Sequence, residues 1–212
     1  MESATQPASE EPSGPKSPLT PDEALAKLLD GNARYLDESV LPEDYSARTV
    51  AAIKDLFPIA GILGCADARV ASELIFDCGA GDLFMVRVAG NFLSEYGLAS
   101  LEYCVQFLGT PLLMVLGHTQ CGAVTAALKT VQERTPLPGR MPFLIDAIEP
   151  AVHIAQRTHP EDLLNASIIE NVKRQVHRLS TLSNVLDAAV QAGHLKIVGA
   201  VYDLSTGKVT LV

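Results

Sequence analysis

The sequence predicts an α/β fold: one domain with a mainly parallel central sheet flanked by helices. Three observations carry that expectation. Two short, unbroken apolar runs, PIAGILG (58–64) and PLLMVLG (111–117), read as strands buried on both faces. Segments of helical periodicity alternate with the strand-like runs, the pattern of a parallel sheet built through crossovers. No internal repeat and no linker interrupts the chain after residue 20.

The elements follow in order. Thr20 is placed as an N-cap, Pro21 as the first helical residue and Glu23 as the partner that completes a capping box. Ala24, Leu25, Leu28, Leu29 and Tyr35 then give ALAKLLDGNARYL an apolar helical face. After a mixed segment comes the strand 58–64. VASELIFDCG (70–79) reads as a short helix, DLFMVRVAG (82–90) as a strand and GLASLEYCVQFLG (97–109) as a helix. The strand 111–117 runs straight into HTQCG, and AVTAALKTVQ (123–132) resumes as helix. Residues 142–193 are mostly helical, interrupted by THPEDL. HLKIVGAVYDLSTGKVTLV (194–212) closes the chain as two strands around a Ser-Thr-Gly turn.

The Ser/Pro/Glu-rich stretch 1–20 is expected to be a disordered tail, leaving 21–212 as the domain. It lacks the basic and apolar regions of a secretory signal and is too acidic for a transit peptide, so a cytoplasmic protein is expected. The formal charge of −9 argues against nucleic acid and anionic membranes as partners. No apolar run reaches the length of a membrane span. In that setting the four cysteines, Cys65, Cys78, Cys104 and Cys121, are metal ligands, catalytic thiols or core filler rather than disulfides.

Parallel sheets bind ligands where their strands end. Cys65-x-Asp67 follows one apolar strand and His118-x-x-Cys121 follows the other. Two thiolates, an imidazole and a carboxylate suit a tetrahedral zinc ion, which accepts sulfur, nitrogen and oxygen together. Either half alone is weak, since a strand-end cysteine is usually core and His-x-x-Cys is usually incidental. Their coincidence on matching strands makes the metal site. Asp67 and Arg69 alone would read as an ordinary ion pair. Beside a metal they read as a working pair.

CADARV (65–70), GDLFMVRVAGN (81–91), SLEYCVQFLG (100–109), GHTQCGAV (117–124) and GAVYDLSTGKV (199–209) together resemble a bacterial β-class carbonic anhydrase. The likeness runs from residue 22 to the end in family order and spacing. It implies the fold of that family and the reversible hydration of CO2 to bicarbonate and a proton, with a zinc-bound hydroxide as nucleophile. It implies one Zn2+ per subunit, with Cys65, His118 and Cys121 as permanent ligands. Asp67 and Arg69 become the catalytic dyad: Asp67 closes the site when it ligates the metal, and opens it when Arg69 captures the carboxylate. Phe84 and Tyr103 are implied in the apolar wall of the substrate pocket, partly across a dimer interface, with Gly122 and Leu56 also at the pocket. Gly64, Gly117 and Gly122 flank the ligands and are expected to permit close approach. Arg87 is expected near a subunit contact as a structural ion pair, and Cys78 and Cys104 as small hydrophobes on helices. A homodimer or a tetramer is the expected assembly.

Two positions depart from the family pattern. Ala68 stands where relatives usually carry serine, and Leu56 where many carry glutamine. A pocket missing these polar groups is expected to be slower, or to favour carbonyl sulfide or carbon disulfide over CO2. A catalytically weak, zinc-bound scaffold or sensor is the third reading. Ile62 stands where some relatives place the tryptophan of an allosteric bicarbonate site, so no site of that type is expected.

Overall fold

A computed structural model of the chain describes residues 17–43, 45–53, 56–134 and 136–212. The expected tail lies outside the described residues as far as position 16. Among the described residues one sheet has five strands: β1 (Ala60–Gly64), β2 (Leu83–Arg87), β3 (Leu112–His118), β4 (Lys196–Tyr202) and β5 (Val209–Leu211). Their order is β2-β1-β3-β4-β5, with the first four parallel and β5 antiparallel to β4. The fold is therefore α/β with a mainly parallel sheet, as the alternation of elements predicts.

The apolar runs are continuous because both sheet faces are covered. On one face, Leu63, Leu113 and Val115 pack under α4 (Glu95–Leu108), α5 (Gly122–Glu133), α6 (Met141–Gln156), α7 (Leu163–Leu182) and α8 (Asn184–Gln191). On the other, Ile62, Leu112, Met114 and Leu116 meet α1 (Pro21–Leu36) and α3 (Ser72–Ile75). All seven residues of β3 are buried. No helix among the described residues is long and apolar enough to cross a membrane.

Helix α1 starts as its sequence dictates. The Thr20 side chain accepts from the Glu23 N–H, and the Glu23 carboxylate accepts from the Thr20 N–H. Asn32 then ties α1 down: its side-chain amide donates to the Ile75 and Gly207 carbonyls and accepts from the Val209 N–H. This close seat explains a glycine in mid-helix, where it would otherwise cost about 1 kcal/mol relative to alanine. A Cβ on Gly31 would lie 1.9 Å from the Phe76 carbonyl oxygen. Gly31→Ala is therefore expected to cost about 2–3 kcal/mol, because backbone cannot rotate away as a side chain can. Urea unfolding measures it, and an unchanged midpoint would mean that α1 shifts without cost.

Three local readings change. A short helix, α2 (Ala47–Ala52), forms in the mixed segment; it buries nothing, so no apolar period announces it. The helix expected over 70–79 contracts to α3, which has no side-chain cap and ends before Asp77 at φ 47°. Cys78 consequently lies in the following loop, not on a helix, though it remains a buried thiol. The helical stretch 142–193 breaks again at Ser183, which ends α7 and caps α8 by accepting from the Leu186 N–H.

Candidate metal centre

The parallel pairing of β1 with β3 sets Gly64 opposite Leu116, so the residues that follow emerge side by side at the carboxyl edge of the sheet. Cys65 comes one residue after β1, His118 is the last residue of β3, and Cys121 is the N-cap of α5. One ligand atom from each of these three lies within 4.8 Å of the other two. The sulfurs of Cys65 and Cys121 are 4.0 Å apart. All three residues are buried.

The imidazole is already oriented. His118 Nδ1 lies 2.9 Å from the Thr119 carbonyl, to which it can only donate. That assigns the proton to Nδ1 and leaves the Nε2 lone pair free. Nε2 is buried without a hydrogen-bond partner among the described residues. An orphaned buried acceptor beside two sulfurs would be costly without a ligand to receive its lone pair. This donor set fits a borderline-soft, tetrahedral ion.

The two sulfurs differ in their surroundings. A hydrogen bond from the Cys121 thiol, helped by the Gly90 N–H, holds Cys65 well below the usual thiol range. Cys121, as the donor to that sulfur in a buried place, is pushed up. Cys78 and Cys104 behave differently: burial pushes both thiols up to about 12. They are inert filler, as their lack of partner ligands implies.

Asp67 sits beside this group with its carboxylate engaged. Arg69 Nε donates to Oδ1 at 3.0 Å and Nη2 to Oδ2 at 2.7 Å, while the Arg69 backbone N–H also reaches Oδ1 at 2.9 Å. These bonds hold the Asp67 carboxyl well below the usual carboxylate range. Its Oδ2 stands 4.0 Å from His118 Nε2. The carboxylate thus lies next to the ligand atoms while gripped by the guanidinium.

Within the chain, Arg87 is engaged with backbone carbonyls. It makes no ion pair recorded among the described residues; instead Nε donates to the Cys65 carbonyl at 2.9 Å and Nη2 to the Asp67 carbonyl at 2.7 Å. One side chain thereby fixes the backbone on both sides of Ala66. The glycines also need restating. A Cβ on Gly64 would meet its nearest neighbour at 3.8 Å, and one on Gly122 would meet nothing within 4 Å. Only Gly117 permits a close approach, and that is to Val172 of α7, at 2.6 Å, rather than to a ligand.

Phe84 and Tyr103 are brought together, with ring centroids 6.4 Å apart, and Phe107 continues the row at 5.3 Å from Tyr103. Tyr103 and Phe107 are each about half exposed, at 51% and 52%. Leu56, exposed, lies against Gly81 ahead of β2. Within one chain that places it at the amino edge of the sheet, opposite the cysteines. Sequence reasoning missed Gly90, whose N–H donates to Cys65 Sγ at 3.3 Å. Its only signal was the glycine in VAGN, which takes φ 80°.

A family model described as "Carbonic anhydrase" matches residues 60–209. The protein called carbonic anhydrase 2 of Mycobacterium tuberculosis is 37% identical over 199 residues, covering 89% of this chain and 91% of that one. Among solved structures, the Coccomyxa β-carbonic anhydrase in complex with acetazolamide is 27% identical with a TM-score of 0.67, covering 89% of this chain and 86% of that one. One of the structures of two tetrameric β-carbonic anhydrases from Sordaria macrospora superposes with a TM-score of 0.70 at 20% identity, covering 78% and 84%.

Proposed function

The chain belongs to the β-carbonic anhydrase family, and from that premise we propose that it hydrates CO2 reversibly to bicarbonate with one zinc ion held by Cys65, His118 and Cys121. The observation that carries the assignment of ligands is the buried, unpartnered Nε2 of His118 beside two sulfurs. A zinc ion there supplies the Lewis acidity that makes water a nucleophile near neutral pH.

The rest of the work falls to the chain. Arg69 holds both oxygens of Asp67, so the carboxylate stays off the candidate ligand atoms and would leave room for water beside them. Asp67 Oδ2, 4.0 Å from His118 Nε2, would be the acceptor for a hydrogen bond from a water held beside that nitrogen. Arg87 keeps Cys65 and Asp67 in fixed relation through their carbonyls. Phe84 and Tyr103 form the apolar wall that receives CO2. Gly122 leaves open space beside Cys121, and Leu56, at the amino edge of the sheet in its own chain, would reach a pocket only in a neighbouring copy.

That last point fits a homodimer or tetramer. Tyr96, Tyr103 and Phe107, at 88%, 51% and 52% exposure, stand along one face of α4 in reach of the edge strand β2. An unpartnered aromatic row of this kind favours burial against a second copy.

Ala68 is exposed and offers no hydroxyl beside the Asp67–Arg69 pair, which keeps a carbonyl sulfide or carbon disulfide hydrolase as the second reading. Stopped-flow CO2 hydration and sulfide release on one zinc-loaded sample separate the two. Fast hydration without sulfide is the expected result. Sulfide release with negligible hydration would overturn the assignment of substrate.

A further inference from the structure

Asn171 and Gln175 lie one turn apart on α7, both fully buried, and neither belongs to the reaction described above. Buried amides must be paired, and these two direct their bonds at one segment. Asn171 Nδ2 donates to the Gly90 carbonyl at 2.8 Å. Gln175 Nε2 donates to Asn171 Oδ1 at 3.0 Å, and Gln175 Oε1 accepts from the Leu93 N–H at 3.1 Å. The pair thus grips the loop between β2 and α4 at both ends of the turn 90–93. Gly90 is the residue in that loop whose own N–H reaches Cys65 Sγ. It is held at φ 80°, and a Cβ there would meet Ile148 at 2.5 Å.

We propose that the Asn171–Gln175 amide pair is a positioning device for the metal centre, fixing the loop so that the Gly90 N–H is aimed at the Cys65 sulfur. The proposal rests on Cys65 being a metal ligand. An N–H donor spreads part of the charge of a buried thiolate and so stabilises the ionised, ligating sulfur. Outer-shell groups of this kind commonly carry about a 10–100-fold effect on metal affinity or activity. Without the amide pair the loop loses its anchor, the donor drifts, and the sulfur becomes more electron-rich and less firmly held in place.

The test uses cobalt(II) as a spectroscopic substitute and a coloured chelator to follow metal release. In Asn171→Leu the sulfur-to-cobalt charge-transfer band moves to lower energy, and metal release quickens by roughly tenfold or more. Gln175→Met, which leaves the bond from Asn171 to Gly90 in place, gives a smaller change of the same sign. Leu179→Ala, a buried position on the same helix outside this chain of bonds, lowers the melting temperature but moves neither the band nor the release rate. A wild-type band and release rate in both amide variants would overturn the proposal, as would equal changes in Leu179→Ala. Should the amide variants fail to fold, cadmium-113-loaded wild-type protein decides: the Gly90 amide proton shows coupling to cadmium through the sulfur, and absence of that coupling overturns the idea. A wild-type chain that binds no metal removes the ligand assignment, and this proposal with it. Metal-loaded variants indistinguishable from wild type remove only this proposal.

Discussion

Cys65→Ala is expected to lose both its metal and its CO2 hydration activity while remaining folded. The substitution leaves two donors, His118 Nε2 and Cys121 Sγ, which is too few for a tetrahedral site to retain its ion. Activity should fall to the uncatalysed rate, a loss on the order of 10⁶-fold or more if this enzyme accelerates its reaction as enzymes ordinarily do. The fold should survive because Cys65 is small and the strand before it is secured by pairing with β2 and β3. Circular dichroism, metal content and stopped-flow hydration on one preparation check all three parts. Retained activity would remove Cys65 from the chemistry, whereas loss of folding would mark the metal as structural.

The second large effect is at Arg69. Arg69→Ala removes both side-chain hydrogen bonds to Asp67, leaving a carboxylate whose Oδ2 is already 4.0 Å from His118 Nε2. The freed carboxylate is expected to occupy the position meant for water. The signature differs from that of the cysteine variant in metal content: metal retained, activity lost by about 10²-fold or more, the scale on which small misplacements act. Arg69→Lys keeps the charge but not the two-pronged grip and should fall between.

The pH dependence follows from the same contact. The hydrogen bonds from Arg69 depress the folded pKa of Asp67. The pair's stabilisation is therefore complete above the carboxyl's unfolded pKa and is lost as pH falls through the lower folded value. Asp67 consequently stays ionised across the neutral and mildly acidic range in the wild type. In metal-free protein, Arg69→Ala should return its protonation part of the way toward the ordinary carboxylate range, since the Arg69 backbone N–H still donates, and a carboxyl-labelled NMR titration shows it. The effect on stability is small, since the Arg69 side chain is 55% exposed.

Much of this was legible in the sequence because it depended on local chemistry. Thr20, Pro21 and Glu23 predict the start of α1 since a cap is satisfied within a few residues. β1 and β3 are legible because a strand covered on both faces has no polar positions to disguise it. The Cys65, His118 and Cys121 group could be read because it lies at or just beyond the carboxyl ends of those strands. What escaped depended on distant partners. Asn171 and Gln175 look like a solvated helix face, and nothing in one dimension says that they face the β2–α4 loop. Arg87 reads as a charge wanting a carboxylate, but its actual partners are two carbonyls, which every residue possesses. The breaks at Ser183 and Asp77 lack the glycine or proline that usually marks a helix end.

The central claim is that Cys65, His118 and Cys121 hold the zinc on which CO2 hydration depends. Its most direct test is to titrate metal-free protein with zinc while recording the stopped-flow hydration rate. The rate should rise linearly from background and stop rising at one zinc per chain. Full activity before any zinc is added, or one zinc bound per chain with no rise in rate, would contradict the claim.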